Sequence, residues 1–165
     1  MSYILNRMTP ADAPLTMEWM MRQYGFSKYE VEDWVLNLHF NWPLSVKAVE
    51  PTAEGEKVVG LLNMSDYRIE EETPLIAIEQ PKLLARLNAQ RYTAVFSFIV
   101  APEYRGTHLN YDMLMSILPE LKASYDFVFV PVMHRLKTHL YWQRWGAEEF
   151  YRDANCVYYM LKLNQ

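Results

Sequence analysis

The residues best placed to do chemistry lie in one run, Phe98-Ile99-Val100-Ala101-Pro102-Glu103-Tyr104-Arg105-Gly106-Thr107-His108-Leu109-Asn110. The apolar run Tyr92–Val100, free of Gly and Pro, predicts a buried strand, and Pro102 then turns the chain. Leu109, Met113, Ile117 and Leu121, each four residues from the last, predict the helix that follows. The start of a helix carries amides with no intrahelical acceptor and the positive end of the aligned peptide dipoles. Directly after a strand, such a start is a ready anion site. Gly106 lets backbone approach a ligand closely, and Arg105 adds a permanent positive charge. Together they suit a pyrophosphate. The plainer alternative is a crossover turn with a surface arginine.

No other group of side chains makes an equally clear site. The strand before the turn holds no acid, and Ser97 reads as a filler or a group that positions a water. Asp66, Tyr67 and Glu32 remain as candidate bases. His134 and His139 have no paired acid or cysteine cluster and read as structural or surface residues. No Cys/His set has metal-ligand spacing, so no metal is expected. Cys156, in an apolar run, reads as a small buried hydrophobe.

Composition narrows the partners. Sixteen basic against twenty acidic side chains give a net charge of −4, without the basic excess that phosphate backbones demand, so nucleic acid is not an expected partner. No apolar run has the roughly 18 residues of a membrane span, and Met1–Arg7 opens no apolar run of signal-peptide length, so neither a span nor a signal peptide is expected. The single cysteine suits a reducing compartment, and the expectation is a cytoplasmic protein.

The chain must supply elements to position the turn, and its 165 residues fit one domain. A first strand is expected near Tyr3–Arg7, and a helix starting at Thr9-Pro10-Ala11-Asp12 and stopping at Gly25. Ser27-Lys28-Tyr29-Glu30 is a capping box, after which Val31, Trp34, Val35 and Leu38 share one helical face. Leu44, Val46 and Ala48 alternate with polar residues and predict a strand; a turn at Glu54-Gly55-Glu56 leads to another over Lys57–Met64. Residues 68 to 91 read as an insertion: an acidic stretch, then one short helix over Lys82–Gln90 with Leu83, Leu84 and Leu87 on its apolar face. Pro119 should kink or weaken its helix. A strand over Asp126–Val132, a helix over Leu136–Trp145 ended by Gly146, and two strands joined near Asp153-Ala154-Asn155 complete an α/β chain with a mixed sheet.

Two segments resemble the GNAT N-acetyltransferase superfamily. Val100-Ala101-Pro102-Glu103-Tyr104-Arg105-Gly106 resembles its acetyl-CoA segment, and Leu140-Tyr141-Trp142-Gln143-Arg144-Trp145-Gly146-Ala147 its later aromatic segment. The resemblance implies a GNAT-like, mostly antiparallel central sheet flanked by helices. It also implies acetyl-CoA, or another acyl-CoA, as co-substrate on Phe98, Ile99, Val100, Arg105, Gly106, Thr107, His108, Leu109 and Asn110. The phosphate-loop motif is degenerate: His108 stands where the family has a second Gly, and Asn110 where it has Gly or Ala. Trp142 replaces the Tyr that often protonates the leaving thiolate, and Tyr141, roughly 100° away on a helix, is the candidate catalytic acid.

The expected function is acyl transfer to a small-molecule or peptide amine by direct attack. The alternative is a non-catalytic acyl-CoA-binding sensor or interaction domain, and a third reading is a GNAT-shaped domain whose turn His108 blocks. In the resembling family the first two helices wall the acceptor pocket, so Tyr24, Tyr29 or Trp42 is expected to line it. Trp34 is expected in the core, and the 68–91 insertion as a lid, a homodimer contact or surface decoration.

Overall fold

The apolar patterning becomes seven strands and seven helices in the computed structural model, which describes residues 2–37 and 40–164. The elements are β1 (Ile4–Arg7), α1 (Ala13–Tyr24), α2 (Lys28–Asn37), β2 (Val46–Thr52), β3 (Gly55–Ser65), α3 (Ile69–Glu72), α4 (Ile76–Glu79), α5 (Pro81–Asn88), β4 (Tyr92–Val100), α6 (Leu109–Ser124), β5 (Phe127–Met133), α7 (His139–Arg144), β6 (Glu148–Arg152) and β7 (Cys156–Lys162). The strands form one mostly antiparallel sheet in the order β1-β2-β3-β4-β5-β7-β6. The chain divides into two compact units, Met1–Ser65 with Phe96–Glu120, and Asp66–Val95 with Leu121–Gln165.

In the first unit, β1 pairs antiparallel with β2, and β2 with β3 across a bulge at Ala48/Val49. The start of α1 is preceded by a 3-10 turn over Pro10–Asp12, and the Thr9 amide donates to Asp12 Oδ2 at 2.9 Å. Gly25 ends α1 in the left-handed region, donating its amide to Met21 O at 3.0 Å. The Ser27 amide donates to Glu30 Oε2 at 2.8 Å and the Glu30 amide to Ser27 Oγ at 3.3 Å, the reciprocal cap expected there. Val31, Trp34 and Val35 turn toward Met20 and Ile99 as their spacing requires; Leu38 lies outside the described residues. Under this face lies a satisfied polar group. Asn63, fully buried, accepts from Ser97 Oγ at 2.7 Å and donates to Thr16 Oγ1 at 3.2 Å.

The second unit holds the first part of β4, whose Tyr92, Thr93 and Ala94 pair parallel with Phe127, Val128 and Phe129 of β5. β7 pairs antiparallel with β5 and with β6. Phe127, Phe129 and Tyr158 are fully buried among these strands.

Three expectations need correction. The strand expected from Leu44 begins at Val46, because Asn41 Oδ1 accepts the Leu44 amide at 3.3 Å and holds Trp42–Leu44 in a 3-10 turn. Residues 68 to 91 hold three short helices, not one. The run of glutamates suggested a solvated stretch, yet Ile69 and Ile76 are fully buried and anchor α3 and α4. Elsewhere the α6 helix includes Pro119 and continues to Ser124, with Leu109, Met113, Ile117 and Leu121 all buried as their spacing predicts. The α7 helix starts only at His139, since the preceding residues form turns in which the His134 amide donates to Asn155 O at 3.1 Å.

One carboxylate pins the α3–α4 segment to the β6–β7 connection. Asp153 accepts from Thr73 Oγ1 at 2.9 Å and Tyr158 Oη at 2.6 Å, and from the amides of Asn155 and Cys156 at 2.8 and 2.9 Å. Burial raises its pKa, but these hydrogen bonds outweigh burial and hold the carboxyl below its ordinary range. A depressed folded pKa stabilises fully above the unfolded value and is lost as pH falls through the folded one. Asp153→Asn should therefore lower stability at neutral pH by about 1.5–3 kcal/mol, the range for hydrogen bonds to a charged group. In chemical denaturation, the gap to wild type should narrow as the pH drops below the usual carboxylate range.

Candidate functional site

The end of β4 sets the site. Ala101 donates its amide to Val59 O at 2.8 Å, which fixes the strand's last step against β3. Alternation along a strand turns the Val100 amide to the opposite edge. Pro102–Tyr104 forms a 3-10 turn, with the Tyr104 amide on Ala101 O at 2.9 Å and the Arg105 amide on Pro102 O at 3.2 Å. Tyr104 is buried, with its ring edge-on to Tyr3 at 5.9 Å. On the outside Lys57 pairs with Glu103, lowering that carboxyl and raising the lysine. Gly106 follows at φ 78°, and a Cβ there would meet nothing within 4 Å, so conformation and not space requires the glycine.

The helix start leaves alternate amides open. Asp112 donates to His108 O at 2.9 Å, making His108 the cap of α6. Thr107 donates its amide to Tyr104 O at 3.2 Å. Side chains take two more: Thr107 Oγ1 accepts from Leu109 at 3.3 Å, and Asn110 Oδ1 from Tyr111 at 2.9 Å. Among the described residues, the amides of Gly106, His108 and Asn110 have no acceptor. Arg105, beside them, is exposed and donates to Gln23 Oε1 at 3.3 Å. The result is three open donors, one cation and the positive end of a 16-residue helix, an arrangement that suits a multiply charged anion.

Three contacts hold that helix in place. A Cβ on Gly60 of β3 would lie 3.0 Å from Met113 Cε and 3.3 Å from Leu109 Cδ2, so the first turns of α6 rest on the strand itself. Tyr3 donates its hydroxyl to Asp112, which pushes the phenol up to about 12. Arg7 donates to Ser116 O at 2.9 Å and pairs with Glu120 at 2.6 Å.

Val100 and the Arg105–Asn110 turn lie in the first unit. Phe98 and Val100 are half-buried, and Ile99 is buried against Met20 and Val31. In the second unit, α7 buries Trp142 edge-to-face on Trp145 at 5.1 Å and leaves Tyr141 38% exposed, the separation that helical geometry predicts for neighbours. Ser97 spends its hydroxyl on Asn63, which fits the filler reading. Of the candidate bases, Asp66 accepts from Tyr125 Oη at 3.0 Å, Glu32 is exposed on α2, and Tyr67 is buried, with its hydroxyl pushed well above its ordinary range. His134 Nε2 bonds Asp153 O at 2.8 Å; His139 bonds Tyr159 Oη and Met133 O at 3.0 and 3.2 Å. Both histidines have structural partners. Sequence reasoning missed Gly60 and Gln23. A glycine inside an apolar strand signals close approach, but no sequence signal marks Gln23. Among the described residues no His/Cys/Asp/Glu group is placed to hold a metal, and no helix is long and apolar enough to cross a membrane.

The sequence matches no family model and no curated protein. Its fold is shared with solved structures. An acetyltransferase of the GNAT family from Listeria monocytogenes superposes with a TM-score of 0.63 at 13% identity, over 98% of this chain and 95% of that one. The ribosomal-protein-S18-alanine N-acetyltransferase from Escherichia coli gives 0.64 at 11%, over 99% and 96%. The PaiA N-acetyltransferase from Thermoplasma acidophilum, solved with coenzyme A, gives 0.61 at 12%, over 98% and 99%. The seven-stranded sheet with its flanking helices is thus the fold of the GNAT acetyltransferases, and this chain belongs to that fold.

Proposed function

We propose that this chain is an acyl-CoA-dependent N-acyltransferase, moving an acetyl or other acyl group to an amine. The observation that carries the reading is the row of open amides at Gly106, His108 and Asn110 beside Arg105. In this reading the pyrophosphate of the cofactor lies on those amides. Similar folds have been solved with coenzyme A and are named for amine acceptors such as an alanine, which supports the substrate class.

His108 and Asn110 depart from the family motif but leave their own amides open, and Asn110 folds its carbonyl back on the Tyr111 amide. The thioester lies along the end of β4, where the Val100 amide, directed away from β3, polarises its carbonyl. A neutral amine attacks the carbonyl carbon. The C–N bond forms, the C–S bond breaks, the amine loses a proton and the thiolate gains one. Positioning and amide polarisation supply most of the acceleration, so a nucleophilic side chain is not needed.

The second reading, a non-catalytic acyl-CoA binder, draws on the burial of Trp142 and the commitment of Ser97 to Asn63. Tyr141 is the aromatic of that pair with a proton to give and with exposure to solvent.

Titration calorimetry with acetyl-CoA tests the binding step. Wild type should bind, and Arg105→Ala should weaken binding roughly 10- to 100-fold, as for a lost charge-assisted bond. Equal affinity would remove Arg105 from the site, and no binding by wild type would end the acyl-CoA reading. Tyr141→Phe should leave that affinity unchanged and lower kcat for thiol release from acetyl-CoA in the presence of an amine. A mutant as fast as wild type makes Tyr141 a surface aromatic.

A further inference from the structure

Arg105 is held differently from the other partnered cations of the first unit. Arg7, Arg22, Lys47 and Lys57 are each neutralised by a carboxylate, those of Glu120, Glu18, Asp12 and Glu103. Arg105 instead donates Nη2 to the side-chain carbonyl Oε1 of Gln23, at 3.3 Å, and makes no ion pair among the described residues. An amide carbonyl fixes one N–H of the guanidinium and leaves its charge whole. The remaining N–H donors of the fork stay open to a ligand.

The place of Gln23 suits that task. It stands in the last turn of α1, two residues before the Gly25 cap, where the aligned peptide dipoles present their negative end. Arg105 precedes α6, whose start presents the positive end. The guanidinium thus reaches back from the open amides to the carbonyl end of another helix of the same unit. The one acid of α1, Glu18, is taken by Arg22 and does not compete for Arg105. An arginine left free gives up much rotamer freedom when it grips a phosphate. One oriented beforehand gives up less, provided that whatever orients it does not also neutralise it.

We propose that Gln23 is a positioning residue for the anion. It holds the Arg105 guanidinium ready beside the amides of Gly106, His108 and Asn110, and it can do so because it is neutral. Gln23 acts through Arg105 and touches no reacting atom. The proposal rests on the acyl-CoA reading for its natural ligand, but the contact acts on any pyrophosphate group held at this turn.

Titration calorimetry of the full chain with acetyl-CoA, and separately with inorganic pyrophosphate, tests it. Gln23→Ala should weaken acetyl-CoA binding about 3- to 10-fold. Gln23→Glu keeps the size and shape of the side chain but adds the charge that neutralises Arg105, and should weaken binding at least about 10-fold, less so as salt rises. In the Arg105→Ala background, Gln23→Ala should change affinity less than about 2-fold, a coupling that a merely structural glutamine would not show. Gln23 is exposed, and equal melting temperatures check that the fold is kept. Should Gln23→Ala melt early, the isosteric Gln23→Glu decides. Undiminished binding by both variants, or an equal loss from Gln23→Ala with and without Arg105, overturns the proposal while the acyl-CoA reading stands. If wild type refuses acetyl-CoA but binds pyrophosphate, and Gln23→Glu weakens that binding, the acyl-CoA reading falls and the role of Gln23 stands. Wild type that binds neither ends both.

Discussion

The contact of α6 with the backbone of β3 at Gly60 is the constraint on which the candidate site depends. Leu109 and Met113 occupy the space where any side chain at that position would sit. That contact seats the first turns of α6 directly on the strand that also receives the Ala101 amide. The end of β4 and the start of α6 are therefore both referenced to neighbouring residues of one strand, Val59 and Gly60. The turn between them has little freedom left, and Gly106 supplies the one left-handed conformation it needs.

Given that frame, the anion site proposed for the turn rests on what its own side chains do not cover. Thr107 and Asn110 cap the amides of Leu109 and Tyr111, and the amides of Gly106, His108 and Asn110 have no acceptor among the described residues. Such donors are preorganised: they pay no reorganisation cost when a phosphate arrives. The side-chain chemistry around them is sparse. Ser97 is tied to Asn63, Trp142 is packed on Trp145, and both histidines are held by backbone or tyrosine. The proposed acyl transfer, driven by positioning and carbonyl polarisation, tolerates that sparseness, which is why the proposal leans on the turn rather than on any single titratable group.

Much of this was legible in the sequence, for identifiable reasons. The β4 strand and the α6 pattern were readable because both are long, strongly apolar and sharply bounded by Pro102 and Gly106. The capping box at Ser27 was readable because it is a local hydrogen-bond pattern. The helices α3 and α4 were not, because their anchors Ile69 and Ile76 are few and stand among glutamates, and because Thr73 and Asp153, which fix them, are 80 residues apart. The open amides were not legible either. Which donors remain depends on the rotamers of Thr107 and Asn110, which composition does not encode. The aromatic residues could be counted, but their burial is a tertiary fact: Trp34 packs half-buried against Met20 and Ile99, whereas Tyr29 on the same helix is 82% exposed.

The central claim is that the turn after β4 receives the phosphates of an acyl-CoA. Amide chemical-shift mapping of the isotopically labelled chain during a coenzyme A titration addresses it residue by residue. The account predicts the largest shifts at Gly106, His108 and Asn110, with smaller ones at Val100 and the first turn of α6. Saturable shifts centred elsewhere, with those three amides unmoved, would contradict it.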